Sequence, residues 1–287
     1  MEKQQENNPK GGVRMDTKEY YDQIAKDYDN ISYSGKGGIT TGNEFRFRIV
    51  KDILYGLPKG KILDAGCGTG KMLVYLKENG YEASGCDFSE GMIAETRKKV
   101  GHSARLETTS LDDLSAFRDG EFDIILALGV FPYITQRSTQ EASYREIWRT
   151  LRAGGTLITT HENELFDLFT LNKYTLRFFK ENFGIAEKLA GSLLTNPEKP
   201  INKDKQKSGR DFIETIPENP LTYPQRLHGF ENKDILYYSY HILPPLLMDD
   251  GARQLSSQIE ASEGFDRHSL QAMFKCSAFI SIAMKVV

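Results

Sequence analysis

The chain is predicted to be an α/β protein, with a mostly parallel seven-stranded sheet, helices on both faces and a mainly helical insertion after the fifth strand. Three observations carry this reading. Apolar, strand-like runs alternate with helical stretches of about 10–15 residues, the rhythm of βαβ units joined by right-handed crossovers. A glycine-rich turn, Gly66-Cys67-Gly68-Thr69-Gly70, joins the first such run to a helix. The rhythm breaks once, after His161, and resumes near residue 222.

Composition bounds the class. Of 287 residues, 39% are hydrophobic and 27% charged, enough for a soluble core and too apolar for wholesale disorder. The 37 Lys and Arg against 40 Asp and Glu leave a net charge of −3, so no whole-protein field draws in nucleic acid. No apolar run approaches the roughly 20 residues of a membrane span, and MEKQQENNPKGG has no signal-peptide core. A soluble, cytoplasmic protein is expected. Cys67, Cys86 and Cys276 form an odd, sparse set without CxxC spacing, which argues against a disulfide framework and against a metal site.

Taken in order, residues 1–15 are polar and read as a flexible tail. In DTKEYYDQIAKDYDNI, Tyr20, Tyr21, Ile24, Ala25 and Tyr28 recur at helical spacing, with Asp16 or Thr17 as N-cap. A break from Ser34 to Gly38 precedes a second amphipathic stretch, NEFRFRIVKDIL, which ends before Pro58. KILDAG is then a buried strand, KMLVYLKEN a helix, YEASGCD a strand, and SEGMIAETRKKV a helix capped by Ser89. SARLETT is a weak strand and FDIILALG a strong one. QEASYREIWRTL is a helix closed by Ala153-Gly154-Gly155, and TLITTH is the fifth strand. ELFDLFTLNKYTLRFFKENF carries an aromatic helical pattern, and residues 195–222 have no clear period. The α/β reading resumes with a short helix (YPQRLHGF), a strand (DILYYSYHI), a helical piece near 250–260 and a final strand, FISIAMKVV. One catalytic domain over 16–161 and 222–287 is therefore expected, with 162–221 as an insertion or lid for acceptor binding.

The chemistry centres on Lys61–Gly70. Its GxGxG spacing lets a ligand approach the backbone, as in nucleotide-binding turns, but departs from the GxGxxG of dinucleotide sites. Asp64 lies two residues before the first glycine, where a carboxylate would oppose a pyrophosphate and would suit a ligand with an amino group. Asp87 closes the second strand, where a carboxylate can accept both hydroxyls of a ribose. These features favour S-adenosylmethionine over a dinucleotide.

ILDAGCGTG, GCDFSEGM, FDIILALG and LRAGGTLITT together resemble the class I S-adenosylmethionine-dependent methyltransferases, small-molecule type, over residues 16–161 and 222–287. The resemblance implies a Rossmann-like fold and S-adenosylmethionine as methyl donor, with S-adenosylhomocysteine as product. It implies that Gly66, Cys67, Gly68 and Gly70 lie against the methionine and ribose, with Asp64 close by. Asp87 would bind the ribose, and Phe88 and Met92 would border the adenine. Where the family often has an acidic residue for the adenine amino group, this chain places Ser110 and then Leu111. Leu128, Gly129 and Val130 would lie beside the sulfonium and the entering nucleophile. In similar enzymes an aromatic N-terminal helix covers the cofactor, which makes Tyr20, Tyr21 and Tyr28 candidates, a tyrosine face being attractive to a sulfonium. Arg46 or Arg48 is a candidate partner for the cofactor carboxylate.

For the transfer itself, His161 is the candidate catalytic base because it ends the fifth strand on the ligand side; His228 and His241 are further candidates. Tyr133, His161, Phe166, Tyr174 and His241 are the candidate acceptor-binding residues. Asp123 starts the fourth strand, at the end away from the ligand crevice, and reads as structural. The expected activity is in-line methyl transfer to an oxygen or nitrogen of a small molecule, a sugar or polysaccharide precursor or a secondary metabolite. Alternatives are a non-catalytic cofactor-binding module and an NAD-dependent oxidoreductase, which would share the sheet and Asp87. A nucleic-acid enzyme would need a basic face and an Asn-Pro-Pro-Tyr-type motif where this chain has ALGVFPY. The expected partner is thus a small-molecule acceptor, with no nucleic acid or membrane, the protein being a monomer or homodimer.

Overall fold

The computed structural model describes residues 16–33, 39–169, 213, 215–245 and 248–286. The 1–15 segment, Tyr174 and most of the 162–221 insertion lie outside them. Seven strands form one sheet: β1 (Lys61–Ala65), β2 (Glu82–Asp87), β3 (Arg105–Thr108), β4 (Phe122–Ala127), β5 (Leu151–Glu162), β6 (Phe230–Tyr240) and β7 (Cys276–Lys285). Their order is β3-β2-β1-β4-β5-β7-β6, with β1 to β5 parallel and β7 antiparallel to both neighbours. This is the mostly parallel α/β sheet that the sequence predicts. The order reverses between β1 and β4, and the crevice outside the carboxyl ends of strands at such a point is where open α/β sheets bind ligands.

The α-helices among the described residues are α1 (Thr17–Ile24), α2 (Tyr28–Tyr33), α3 (Gly42–Tyr55), α4 (Lys71–Glu78), α5 (Glu90–Val100), α6 (Arg137–Thr150), α7 (Asp250–Ala261) and α8 (Leu270–Lys275), with short 3₁₀ helices at Phe131–Tyr133, Glu164–Leu168 and Tyr223–Arg226. Local chemistry starts several of them. Thr41 and Glu44 close a capping box at α3: Thr41 Oγ1 accepts from the Glu44 N–H, and the Glu44 carboxylate accepts from the Thr41 N–H at 2.7 Å. Ser89 caps α5 by accepting from the Met92 N–H.

Two details depart from the sequence reading. The single N-terminal helix is two short ones, because the ladder tightens at Ala25–Asp27, where the Asp27 N–H bonds the Ile24 carbonyl. Ala153–Gly155 do not close α6. The helix stops at Thr150, Leu151 turns extended and pairs with Phe122, and a register shift between Phe122 and Ile124 absorbs the glycines within β5.

The sheet is buried on both faces. On one, Phe45, Val50 and Leu54 of α3 pack with Leu73 and Leu76 of α4 over Ile62, Ile158 and Ile280. On the other, Tyr144 and Ile147 of α6 pack with Phe131, Tyr223 and Phe279 over Ile125 and Leu157. No helix among the described residues is long and apolar enough to cross a membrane.

Candidate active site

The turn after β1 builds the floor of the site. The N–H groups of Gly66 and Cys67 both donate to the Cys86 carbonyl, at 2.7 and 2.9 Å, which ties the turn to the end of β2. Gly66 has φ 82°, and a Cβ there would come within 2.2 Å of Val130 Cγ2, so only glycine fits. Thr96 Oγ1 donates to the Gly68 carbonyl at 2.6 Å and fixes the far side of the loop. Gly70 is the N-cap of α4, packed on Thr96 rather than lining a cavity.

Asp87 closes β2 with one oxygen accepting from the Gly68 N–H at 2.9 Å and the other from the Ser89 N–H at 3.0 Å. Four lone-pair sites on a carboxylate leave room for two hydroxyl donors. Burial raises its pKa to about 6, outweighing those N–H donors. Asp64, 2% exposed, is pushed up to about 7 by burial and the nearby Asp87 charge, against the pull of Arg46. Such a carboxyl holds its proton up to near neutral pH, and a neighbouring cation would favour its ionised form.

Around these groups lies a cavity of about 330 Å³. Gly66, Gly68, Asp87 and Leu128 form one wall, and Phe88, Met92, Ser110 and Leu111 form an apolar slot. Asp112 also lines it, so the acidic residue absent at Ser110 and Leu111 stands one position further on. Tyr21 and Tyr28 of the N-terminal helices cover the opening, and the Tyr21 ring lies 6.1 Å from Phe88 and 5.7 Å from Tyr133. A small adjoining cavity holds Asp64, Cys67, Arg46, Tyr33 and Lys71. Arg46 is half-buried there: burial works against its charge, and the phenol oxygens of Tyr238, Tyr33 and Tyr28 more than offset that. Cys67 keeps its proton because burial, then Asp64, drives its pKa well up, so it is no nucleophile.

A second, larger cavity of about 780 Å³ lies beyond Gly129 and Tyr133, which line both. Gly129 and Val130 follow β4, and the Gly129 N–H donates to Thr160 Oγ1 at 2.6 Å. Tyr20, Asn43, Arg46, Glu162, Phe166 and Tyr238 are among its walls. Arg48, the alternative to Arg46, lines neither of these cavities nor the small adjoining one.

Of the candidate histidines, His161 lines the larger cavity, and His228 and His241 do not. His161 is 2% exposed, its ring stacked at 5.1 Å on Phe279 and 4.4 Å from Tyr223, with Nε2 hydrogen-bonded to Thr159 Oγ1. Burial, with the charges of Arg226 and Arg137, lowers its pKa to about 3. The imidazole is therefore neutral; it packs in the aromatic core, yet His161 also lines the larger cavity, and its Nδ1 is buried without a hydrogen-bond partner among the described residues. His241 packs its ring 4.7 Å from Phe166, outside the cavity, and burial lowers its pKa to about 4. His228 precedes β6 at the opposite end of the sheet. Asp123 also lies at that end, accepting from the Lys61 N–H at 2.7 Å and pairing with Arg152.

Thr17, Tyr33, Asn43, Lys71, Asp112, Glu162 and Tyr238 were not singled out by motif, because their places depend on which strand and helix ends converge. The alternation in DILYYSYHI was the one signal available for Tyr238.

The family model described as a methyltransferase domain matches residues 63–159, which span β1 to β5 and the whole cofactor turn. The chain carries a class I S-adenosylmethionine-dependent methyltransferase domain. Outside that domain core the matches thin. The malonyl-[acyl-carrier protein] O-methyltransferase of Enterobacter lignolyticus is 31% identical over 123 residues, 41% of this chain and 46% of that protein. A human protein named "Probable tRNA methyltransferase 9B" is 35% identical over 103 residues, 35% of this chain and 21% of its own. The chain thus spans less than half the length of these relatives. Among solved structures, magnesium protoporphyrin IX methyltransferase from Synechocystis PCC 6803, with bound S-adenosylhomocysteine, shares the fold of the methyltransferase domain. Its TM-score is 0.55 at 16% identity, over 93% of this chain and 97% of that one.

Proposed function

We propose that the protein transfers a methyl group from S-adenosylmethionine to an oxygen or nitrogen of a small molecule, such as a sugar or polysaccharide precursor or a secondary metabolite. The observation that carries this is the meeting of a cofactor-sized cavity and a larger one at Gly129 and Tyr133, the end of β4.

The residues fit the cofactor. Asp64 would take its ammonium and Arg46 its carboxylate, Asp87 the ribose hydroxyls, and the slot of Phe88, Met92 and Leu111 the adenine, with Asp112 and Ser110 at its polar edge. Gly66, Cys67 and Gly68 would follow the ribose and methionine with their backbone. Bound there, the cofactor supplies an already activated methyl group. What remains for the protein is to align donor and acceptor and to keep water out. Leu128, Gly129 and Val130 present the end of β4 to the reacting atoms, while Tyr21 and Tyr28 close the donor side and Tyr133 lies between the two cavities. Tyr133 and Phe166 would contact the acceptor. Tyr174, in the segment outside the described residues, stays a candidate for the same role.

The test is an acceptor screen with isotopically labelled cofactor and mass analysis of products. Label appearing in a small molecule supports the reading. Label confined to RNA would favour a tRNA acceptor, as the human relative is named for. Saturable cofactor binding without any transfer would leave a binding module, and NAD binding in preference to S-adenosylhomocysteine an oxidoreductase.

A further inference from the structure

Strand alternation sends two sequence neighbours at the end of β5 to opposite faces of the sheet. His161 pairs with Phe279 of β7, which pairs with Tyr237 of β6, and the rings of this row pack into the aromatic core under α6, with His161 also reaching the wall of the larger cavity. Glu162 heads the next row, with Ala278 and Tyr238, and all three line the 780 Å³ cavity on the α3 face. Ala278 is small, which leaves the floor between the Glu162 carboxylate and the Tyr238 ring open.

The Glu162 carboxylate is held in place. One oxygen accepts from Thr215 Oγ1 at 2.9 Å, and the Glu162 carbonyl accepts from the Glu218 N–H at 2.9 Å. The strip carrying Thr215 is itself fixed, since the Ile216 N–H donates to the Pro132 carbonyl at 2.9 Å. One other charged side chain lines this cavity among the described residues: Arg46. It also lines the small cavity with Asp64, where the two opposite charges suit the two ends of an amino acid. With Arg46 committed to the cofactor, Glu162 is the one fixed charge left on the acceptor side among the described residues.

Resting on the methyltransferase reading above, we propose that Glu162 selects the acceptor. It accepts a hydrogen bond from the N–H or O–H of the nucleophilic group, so the acceptor is an amine or a hydroxyl compound and not a carboxylate. A carboxylate accepts at several lone-pair sites, and Thr215 takes one. A hydrogen bond to a charged acceptor is about twice as strong as a neutral one, which favours such donors. An anionic acceptor would instead face a like charge in a half-enclosed site.

The test uses the full chain saturated with S-adenosylhomocysteine at pH 7.5, with benzylamine and benzoate as probes of opposite charge and similar size. Affinities are read by calorimetry or ligand-observed NMR. The expected result is tighter binding of benzylamine than of benzoate by the unsubstituted protein. Glu162→Gln should weaken benzylamine at least tenfold and improve benzoate, with S-adenosylhomocysteine affinity within twofold. Glu162→Asp should keep the benzylamine preference. Benzoate binding as tightly as benzylamine, or benzylamine indifferent to Glu162→Gln, would overturn the proposal, and the first comparison needs no variant at all. Failure of the unsubstituted protein to bind S-adenosylhomocysteine would instead overturn the methyltransferase reading.

Discussion

Asp64 and Asp87 carry negative charge into the least hydrated part of the site, with pKa values raised to about 7 and about 6, burial being the main cause. Both values lie above those of an unfolded chain, so the folded protein without cofactor holds extra protons between about pH 4 and pH 7. The stability they contribute is complete below pH 4 and is lost as pH rises through 6 to 7. A ligand ammonium favours the ionised form, so cofactor affinity should move the other way. S-adenosylhomocysteine should bind more tightly as pH rises from 5.5 to 7.5, approaching tenfold per unit for one released proton. Calorimetry in buffers of different ionisation enthalpy would show that release, and a flat profile would contradict the assignment of Asp64. Asp87→Ala should cost about a hundredfold or more in S-adenosylhomocysteine affinity, the loss expected for two hydrogen bonds to a charged acceptor. An unchanged affinity would remove Asp87 from the ribose. His161 belongs to the core, so His161→Ala should lower unfolding stability by roughly 2–4 kcal/mol, as for other large-to-small core changes. Cofactor affinity, read on the folded fraction, should stay within twofold.

At the scale of elements, the N-terminal helices are clasped over the cofactor cavity by two carboxylates. Asp22 of α1 accepts from the Ser89 hydroxyl at 2.6 Å and the Gly91 N–H at 2.9 Å, which pins α1 to the start of α5. Asp29 of α2 accepts from Thr69 Oγ1 at 2.6 Å and pairs with Lys99 at 2.5 Å, which pins α2 to the glycine turn. These donors hold the pKa of Asp22 and Asp29 below the usual carboxylate value even though burial, the largest single influence, opposes them. The clasp keeps Tyr21 and Tyr28 over the cavity, and opening it is a route for cofactor exchange. Asp22→Asn and Asp29→Asn should each speed S-adenosylhomocysteine dissociation by roughly fivefold to tenfold, about 1–1.4 kcal/mol, with a smaller effect on association. Stopped-flow displacement measures this directly. Identical dissociation rates in the double variant would show that the clasp is not what retains the ligand.

Across the whole molecule, the cofactor cavity touches the carboxyl ends of β1, β2 and β4 as well as the N-terminal helices, so a ligand there ties distant parts of the chain together. Ligand at a hundred times its Kd should stabilise the fold by about 2.7 kcal/mol and raise Tm by roughly 5–10 °C, visible in a thermal scan. The core of this architecture was open to reading from the chain alone. Period-two and helical patterns mark β1 to β5 and their helices, and a GxGxG turn between Asp64 and Asp87 is local chemistry, since all its parts lie within some 25 residues of one βαβ unit. The family resemblance fell on those same residues. The acceptor side was legible only in part: Tyr133, His161 and Phe166, which the sequence singles out, line the larger cavity, whereas the places of Glu162 and Tyr238 there depend on strand order and register. Arg46 from α3, Gly129 and Tyr133 after β4, Glu162 from β5 and Tyr238 from β6 are far apart in sequence and meet where the carboxyl ends of β4, β5 and β6 lie at one end of the sheet. His161 shows the difference most sharply. Sequence position brings it to the ligand end of the sheet, and pairing with Phe279 packs its ring among aromatic side chains, while both His161 and Glu162 line the larger cavity. Local periodicity therefore determined the fold and the cofactor turn, and long-range strand register decided which side chains share the acceptor cavity.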